Sequence, residues 1–89
     1  EEILVDHEPL LVDIFPNPTN GIIRAKLTGF NSNVHWGLNN TLGQTVLSGE
    51  FNPQTNMLLL IDMLGLSEGM YSLIVSGEEG QMASWIVRK

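Results

Sequence analysis

Apolar and polar residues alternate with a period of two along several short runs of this chain. From Ile22 to Leu27, the residues Ile23, Ala25 and Leu27 fall on one side, and Ile22, Arg24 and Lys26 on the other. That is the spacing of a half-buried strand. Val34 to Asn40 repeats it, with Val34, Trp36 and Leu38 inward and His35, Gly37 and Asn39 opposite. Met70 to Ser76 places Tyr71, Leu73 and Val75 inward. Gln81 to Lys89 reads as the last strand, with Trp85 and Val87 predicted to be buried and Arg88-Lys89 at its end. Leu10 to Phe15 and Thr45 to Ser48 are shorter strand candidates. The run Met57-Leu58-Leu59-Leu60-Ile61 is ambiguous, because leucine and methionine favour helices and so short a run fixes no period. Its neighbours are strands, so Asn56 to Asp62 is assigned as a strand too.

The breaks between these runs are marked firmly. Ile14-Phe15-Pro16-Asn17-Pro18-Thr19-Asn20-Gly21 ends one apolar strand and starts another. Pro16 has no backbone N–H, so a paired strand should stop there. Asn17 precedes a proline and is pushed toward an extended conformation. Pro18 presets φ for a turn, and Asn17 is placed to bond back to the turn backbone. Asn20-Gly21 supplies residues that tolerate positive φ. Thr28 to Asn33, Thr41-Leu42-Gly43-Gln44, Gly49 to Thr55 with its Pro53, and Ser76 to Gly80 read as loops. Met63 to Gly69 reads as a crossing segment, broken by Gly65 and Gly69. Tyr71 follows that glycine corner, where a sandwich tyrosine caps the connection by bonding its hydroxyl to nearby backbone. About seven short strands with regular turn signals predict an all-β fold: a small antiparallel Ig-like or fibronectin-like β-sandwich.

Charge divides the chain unevenly. Glu1, Glu2, Asp6 and Glu8 lie in the first eight of the 89 residues, while the rest has six acids against Arg24, Lys26, Arg88 and Lys89. Residues 1–9 therefore read as an acidic linker or loosely packed arm, and 10–89 as one nearly neutral domain. No basic cluster suits a nucleic acid. No apolar run is long enough to cross a bilayer, so direct membrane insertion is not expected. The chain begins with glutamate and shows no signal peptide, so it reads as a piece of something larger.

Candidate chemistry is sparse. Without cysteine, disulfides and thiolate metal sites are excluded. His7 sits between Asp6 and Glu8, but successive side chains of an extended chain point apart. His35 falls on a solvent-facing strand position, and Asn39-Asn40-Thr41, though a glycosylation sequon, reads as a polar turn. Neither histidine lies in a nucleophile-elbow or zinc-helix motif. Asp13, Glu50, Asp62 and Glu68 form no motif, and no glycine-rich phosphate loop is present. No catalytic, cofactor-binding or metal-binding residue is assigned, and no enzymatic activity is expected.

Four blocks in order resemble the type IX secretion (Por secretion) C-terminal sorting domain, type A. They are Phe15 to Gly21; Leu38 to Val46, with Gly43 and Gln44; Ile61-Asp62-Met63 through Leu66 to Gly69-Met70-Tyr71; and the terminal strand ending in Arg88-Lys89. Asn39 stands where that family usually has an aromatic, and Leu64 where serine is common. Met82-Ala83-Ser84 lacks the lysine often found there. Pro16, Asn17, Pro18, Gly21, Gly43, Gln44, Asp62, Leu66, Gly69 and Tyr71 would be the structural motif positions. The resemblance implies a signal that directs a parent protein from the periplasm through the outer-membrane type IX translocon, with its shuttle proteins, to the cell surface or the extracellular space. It also implies removal by a sortase-like cysteine protease, whose cysteine belongs to the partner. Trp85, Ile86, Val87, Arg88 and Lys89 are the expected recognition segment; the terminal strand Gln81–Lys89 would present backbone groups for strand addition, with Arg88 and Lys89 orienting it by charge. The alternative is an Ig- or fibronectin-like accessory module: a spacer, an adhesion domain or a carbohydrate binder.

Overall fold

The computed structural model describes residues 9–89, so the reading of His7 and, but for Pro9, that of the acidic arm 1–9 fall outside it. Seven strands follow one another: β1 (Leu11–Phe15), β2 (Ile22–Thr28), β3 (Val34–Asn39), β4 (Thr45–Phe51), β5 (Leu58–Asp62), β6 (Gly69–Gly77) and β7 (Gly80–Arg88). They form two antiparallel sheets, β1-β2-β5 and β4-β3-β6-β7. No helix occurs among the described residues. Leu58–Asp62 pairs with Ile22–Lys26 of β2, so the leucine run is a strand whose alternate residues Leu59 and Ile61 are buried. Helix propensity loses there to burial on one face of a sheet.

The core between the sheets contains Ile23, Ala25, Leu59, Ile61 and Met63 from one layer and Val34, Leu38, Leu73, Val75 and Ile86 from the other. Trp36 and Leu27 are half-buried against it. The Tyr71 hydroxyl donates to the Ser67 carbonyl at 2.6 Å, so a buried ring reaches the glycine corner and satisfies its one polar atom there. At the β3–β4 hairpin, Gly43 adopts φ 82°, a region that strongly favours glycine. The Asn40 side-chain oxygen accepts the Leu42 and Gln44 N–H groups at 2.9 and 3.0 Å and fixes that turn. His35 lies on the outer face as expected, 2.9 Å from Glu50, in an exposed pair of small energetic weight.

The expected burial of Trp85 and Val87 is overturned. Trp85 is 61% exposed and Val87 37%, whereas Ile86 between them is fully buried. The cause is register. Tyr71, Leu73 and Val75 face the core, and their partners across the ladder are Ile86, Ser84 and Met82. Residues directly opposite share a face, so Trp85 joins Ser72, and Val87 joins Met70, on the outside. Ser84, the polar residue at an inward position, uses its hydroxyl to donate to the Val12 carbonyl of β1 at 3.3 Å.

This facing predicts opposite outcomes for two neighbours. Ile86→Ala should cost about 2–5 kcal/mol, while Trp85→Ala should cost less than about 1 kcal/mol; urea unfolding of each variant measures both.

Candidate recognition site at the terminal strand

Strand direction decides which loops meet. β1 is antiparallel to β2, and β2 to β5; β6 is antiparallel to both β3 and β7. An isolated parallel bridge, Thr19 to Arg88, aligns the chain just after β1 with the end of β7. The β1–β2, β3–β4 and β5–β6 connections and the end of β7 therefore share one pole. Every motif block singled out in the sequence lies in those segments. Gly43 and Gln44 stand at that pole too, separated from β7 by β3 and β6.

At the centre of the pole the chain switches sheets. Both proline bonds, Phe15–Pro16 and Asn17–Pro18, are cis. Past Phe15 the backbone leaves β2 and runs beside β7. Asn17 does not bond back to its own turn, as local sequence suggested. Its side-chain amide donates to the Trp85 carbonyl at 2.9 Å, and its side-chain oxygen accepts the Val87 N–H at 3.0 Å. The Thr19 N–H then donates to the Val87 carbonyl, and the Lys89 N–H to the Thr19 carbonyl, both at 2.8 Å. The outward edge of β7 is thus occupied from Trp85 to Lys89 and is not open for strand addition there.

Thr19, to which the sequence pattern assigns no separate role, is buried. Its hydroxyl accepts the Gly21 N–H at 3.0 Å and donates to the Ile22 carbonyl at 3.1 Å, which closes the corner into β2. The available signal was a threonine two residues before a glycine, where such a hydroxyl turns the backbone. Gly21 is not at positive φ, contrary to expectation. Its constraint is space: a Cβ there would run into the Leu64 side chain. The Gly21 carbonyl accepts the Met63 N–H at 2.8 Å. Asp62 accepts the Leu64 N–H at 2.9 Å, and the Leu66 N–H donates to the Met63 carbonyl at 2.9 Å. The crossing segment is thereby pinned to the proline segment.

Arg88 completes the node. Its Nε donates to the Met63 carbonyl at 3.1 Å and its Nη2 to the Leu64 carbonyl at 3.4 Å; its Nη1 reaches the Lys89 carbonyl. Expected to orient a partner by charge, Arg88 is half-buried and ties the end of β7 to the crossing. Gly69, opposite Arg88 in the ladder, and Tyr71, opposite Ile86, bring the third motif to the same place.

The pole presents an apolar cluster outward, set among exposed polar residues such as Asn17, Asn20, Glu68 and Lys89. Met70, Trp85 and Val87 are exposed together on the four-stranded sheet. Around the corner Pro16, Asn20, Gly21, Ile22 and Leu64 line a shallow groove. No group of three or more potential metal ligands occurs among the described residues. The arrangement offers contact and backbone geometry, not reactive groups.

A family model described as the secretion system C-terminal sorting domain matches residues 13–89. The chain belongs to the type IX C-terminal sorting domains. The match spans every strand except the start of β1 and takes in all four motif blocks. Among curated proteins none matches the chain. A domain of this family is a sorting signal and not a catalyst; it engages the secretion machinery and marks its parent for export toward the cell surface or beyond.

The node predicts that its polar parts are structural. Thr19→Val should cost about 1–3 kcal/mol, because the buried Gly21 N–H loses its acceptor. Arg88→Lys keeps the charge but cannot span two carbonyls; it should cost about 0.5–1.5 kcal/mol. Thermal and urea unfolding of the two variants check these figures.

Proposed function

We propose that this domain is read by the outer-membrane type IX translocon and its shuttle proteins through the motif pole, and is then removed by a sortase-like cysteine protease that cuts in or near residues 1–9. The contact surface in this reading is the outward face of Met70, Trp85 and Val87, with Lys89 at its margin. Ile86 and Arg88 act from beneath: Ile86 anchors the strand in the core, and Arg88 holds its end in place. The parent protein passes through the periplasm and ends at the cell surface or outside the cell.

The observation that carries this reading is the convergence of the motif blocks on one pole, beside an exposed Trp–Val–Met cluster. A fold held only for stability has no need of an exposed tryptophan flanked by apolar neighbours, since such clusters mark contact sites. A carbohydrate-binding module is disfavoured by the same geometry. The exposed aromatics among the described residues are Trp85 and Phe15, and they lie on different sheets. They form no planar row for a sugar chain.

The test is export of a reporter. The chain is fused to the C-terminus of a periplasmic reporter in a bacterium with a type IX system. The fusion should appear outside the cell, and Met70→Ser with Trp85→Ser should hold it in the periplasm without loss of the folded sandwich. Export of that double variant at the wild-type level would count against the outward face. Periplasmic retention of the unaltered fusion would count against the whole reading.

A further inference from the structure

The seven residues Gln81-Met82-Ala83-Ser84-Trp85-Ile86-Val87 contain no charge, no proline and no glycine. They belong to an edge strand of nine residues, Gly80–Arg88. A long, uncharged edge of that composition invites pairing with another chain, and folded proteins block such edges by specific devices. The other strongly apolar edge strand, Leu58–Asp62, has only five residues, and shortness is itself one of those devices.

β7 is half covered. The odd-numbered residues turn their backbone groups outward, because Val87 uses both its N–H and its carbonyl on the proline segment. Asn17 and Thr19 take every outward group from the Trp85 carbonyl to the Lys89 N–H. Pro16 precedes the clasp and Pro18 lies within it, and neither has an N–H to offer a further strand. The outward groups of Gln81 and Ala83 have no hydrogen-bond partner among the described residues.

We propose that the Asn17–Thr19 clasp guards β7 against antiparallel pairing with β7 of a second copy of this chain. A two-fold axis at Trp85 sets Ala83 opposite the partner's Val87, and Gln81 opposite the partner's Lys89. The Glu78-Glu79 turn of each copy then lies next to the Arg88-Lys89 end of the other, so opposite charges meet at both ends. With the clasp closed, the free outward groups of β7 among the described residues lie between Gln81 and the Trp85 N–H, where β1 packs beside the strand through the Ser84–Val12 bond, too short a stretch to hold two copies together. With it open the whole edge is available. This inference stands apart from the sorting reading, since it concerns the isolated chain and uses no secretion partner.

The experiment uses the whole chain and the variant Asn17→Ala, which removes both side-chain bonds to β7. Amide hydrogen exchange should show the Val87 and Lys89 amides losing protection while those of Tyr71, Leu73 and Val75 keep theirs. Sedimentation equilibrium should show the mass rising toward that of a dimer with concentration, less so at high salt. Adding Ala83→Pro removes one outward N–H, leaves the pairing with β6 to the even-numbered residues, and should restore the monomer. If Asn17→Ala does not fold, Asn17→Asp serves in its place: it keeps the acceptor for the Val87 N–H and loses the donor to the Trp85 carbonyl. A folded clasp variant that stays monomeric at every concentration overturns the proposal. So does association that Ala83→Pro leaves unchanged.

Discussion

The structure depends on one contact between distant parts of the chain: residues 17–19 laid along residues 85–89. Four hydrogen bonds make it, two from the Asn17 side chain and two from the Thr19 backbone. The contact joins the two sheets at an edge where β1 and β7 otherwise share packing and the single Ser84–Val12 bond. It also brings the Thr19–Gly21 corner to the place where Met63 can donate to Gly21, and where Arg88 can reach the Met63 carbonyl. Each such bond is worth about 1 kcal/mol net. Their larger effect is mutual, because each fixes the groups that the next one needs. Bonds sharing partners in this way are not expected to be additive.

Much of the fold was legible because a strand with one wet face must alternate. β2 and β6 alternate in sequence and in burial alike, and β3 does so at Val34, His35 and Leu38. β5 was legible by context alone, since the runs on either side of it read as strands, and its pairing with β2 is what holds it extended. β7 misled because both of its faces are apolar. Met82 and Ile86 stand on one side, Trp85 and Val87 on the other, and a serine at an inward position tilts the count the wrong way. Only pairing with β6 breaks that tie. Size argued for burying tryptophan; register decided otherwise.

The site was legible as a set of residues and illegible as a geometry. Asn17 stands out in the sequence, but a local rule gives it a local partner, whereas its bonds go to residues 68 and 70 positions away. Gly21 was singled out for φ, and its constraint is the neighbour Leu64. Arg88 was singled out for charge, and the two carbonyls beside it use its directional donors. In each case the residue type was informative about need and silent about the partner. The partners come from elements distant in the chain.

These reassignments bear on how a small domain can act as an address. Its proline, glycine and arginine motif positions are taken up by internal geometry: a corner, a close approach and a brace. What the motifs do is hold a strand end in one orientation, with Ile86 driven into the core and Trp85 and Val87 turned out. A short apolar surface recognises little unless it is rigid, because ordering it on binding offsets the gain from burial. The bracing of β7 by Asn17, Thr19 and Arg88 supplies that rigidity beforehand. The motif can therefore be specific in sequence while the exposed apolar face of Met70, Trp85 and Val87 stays small and uncharged.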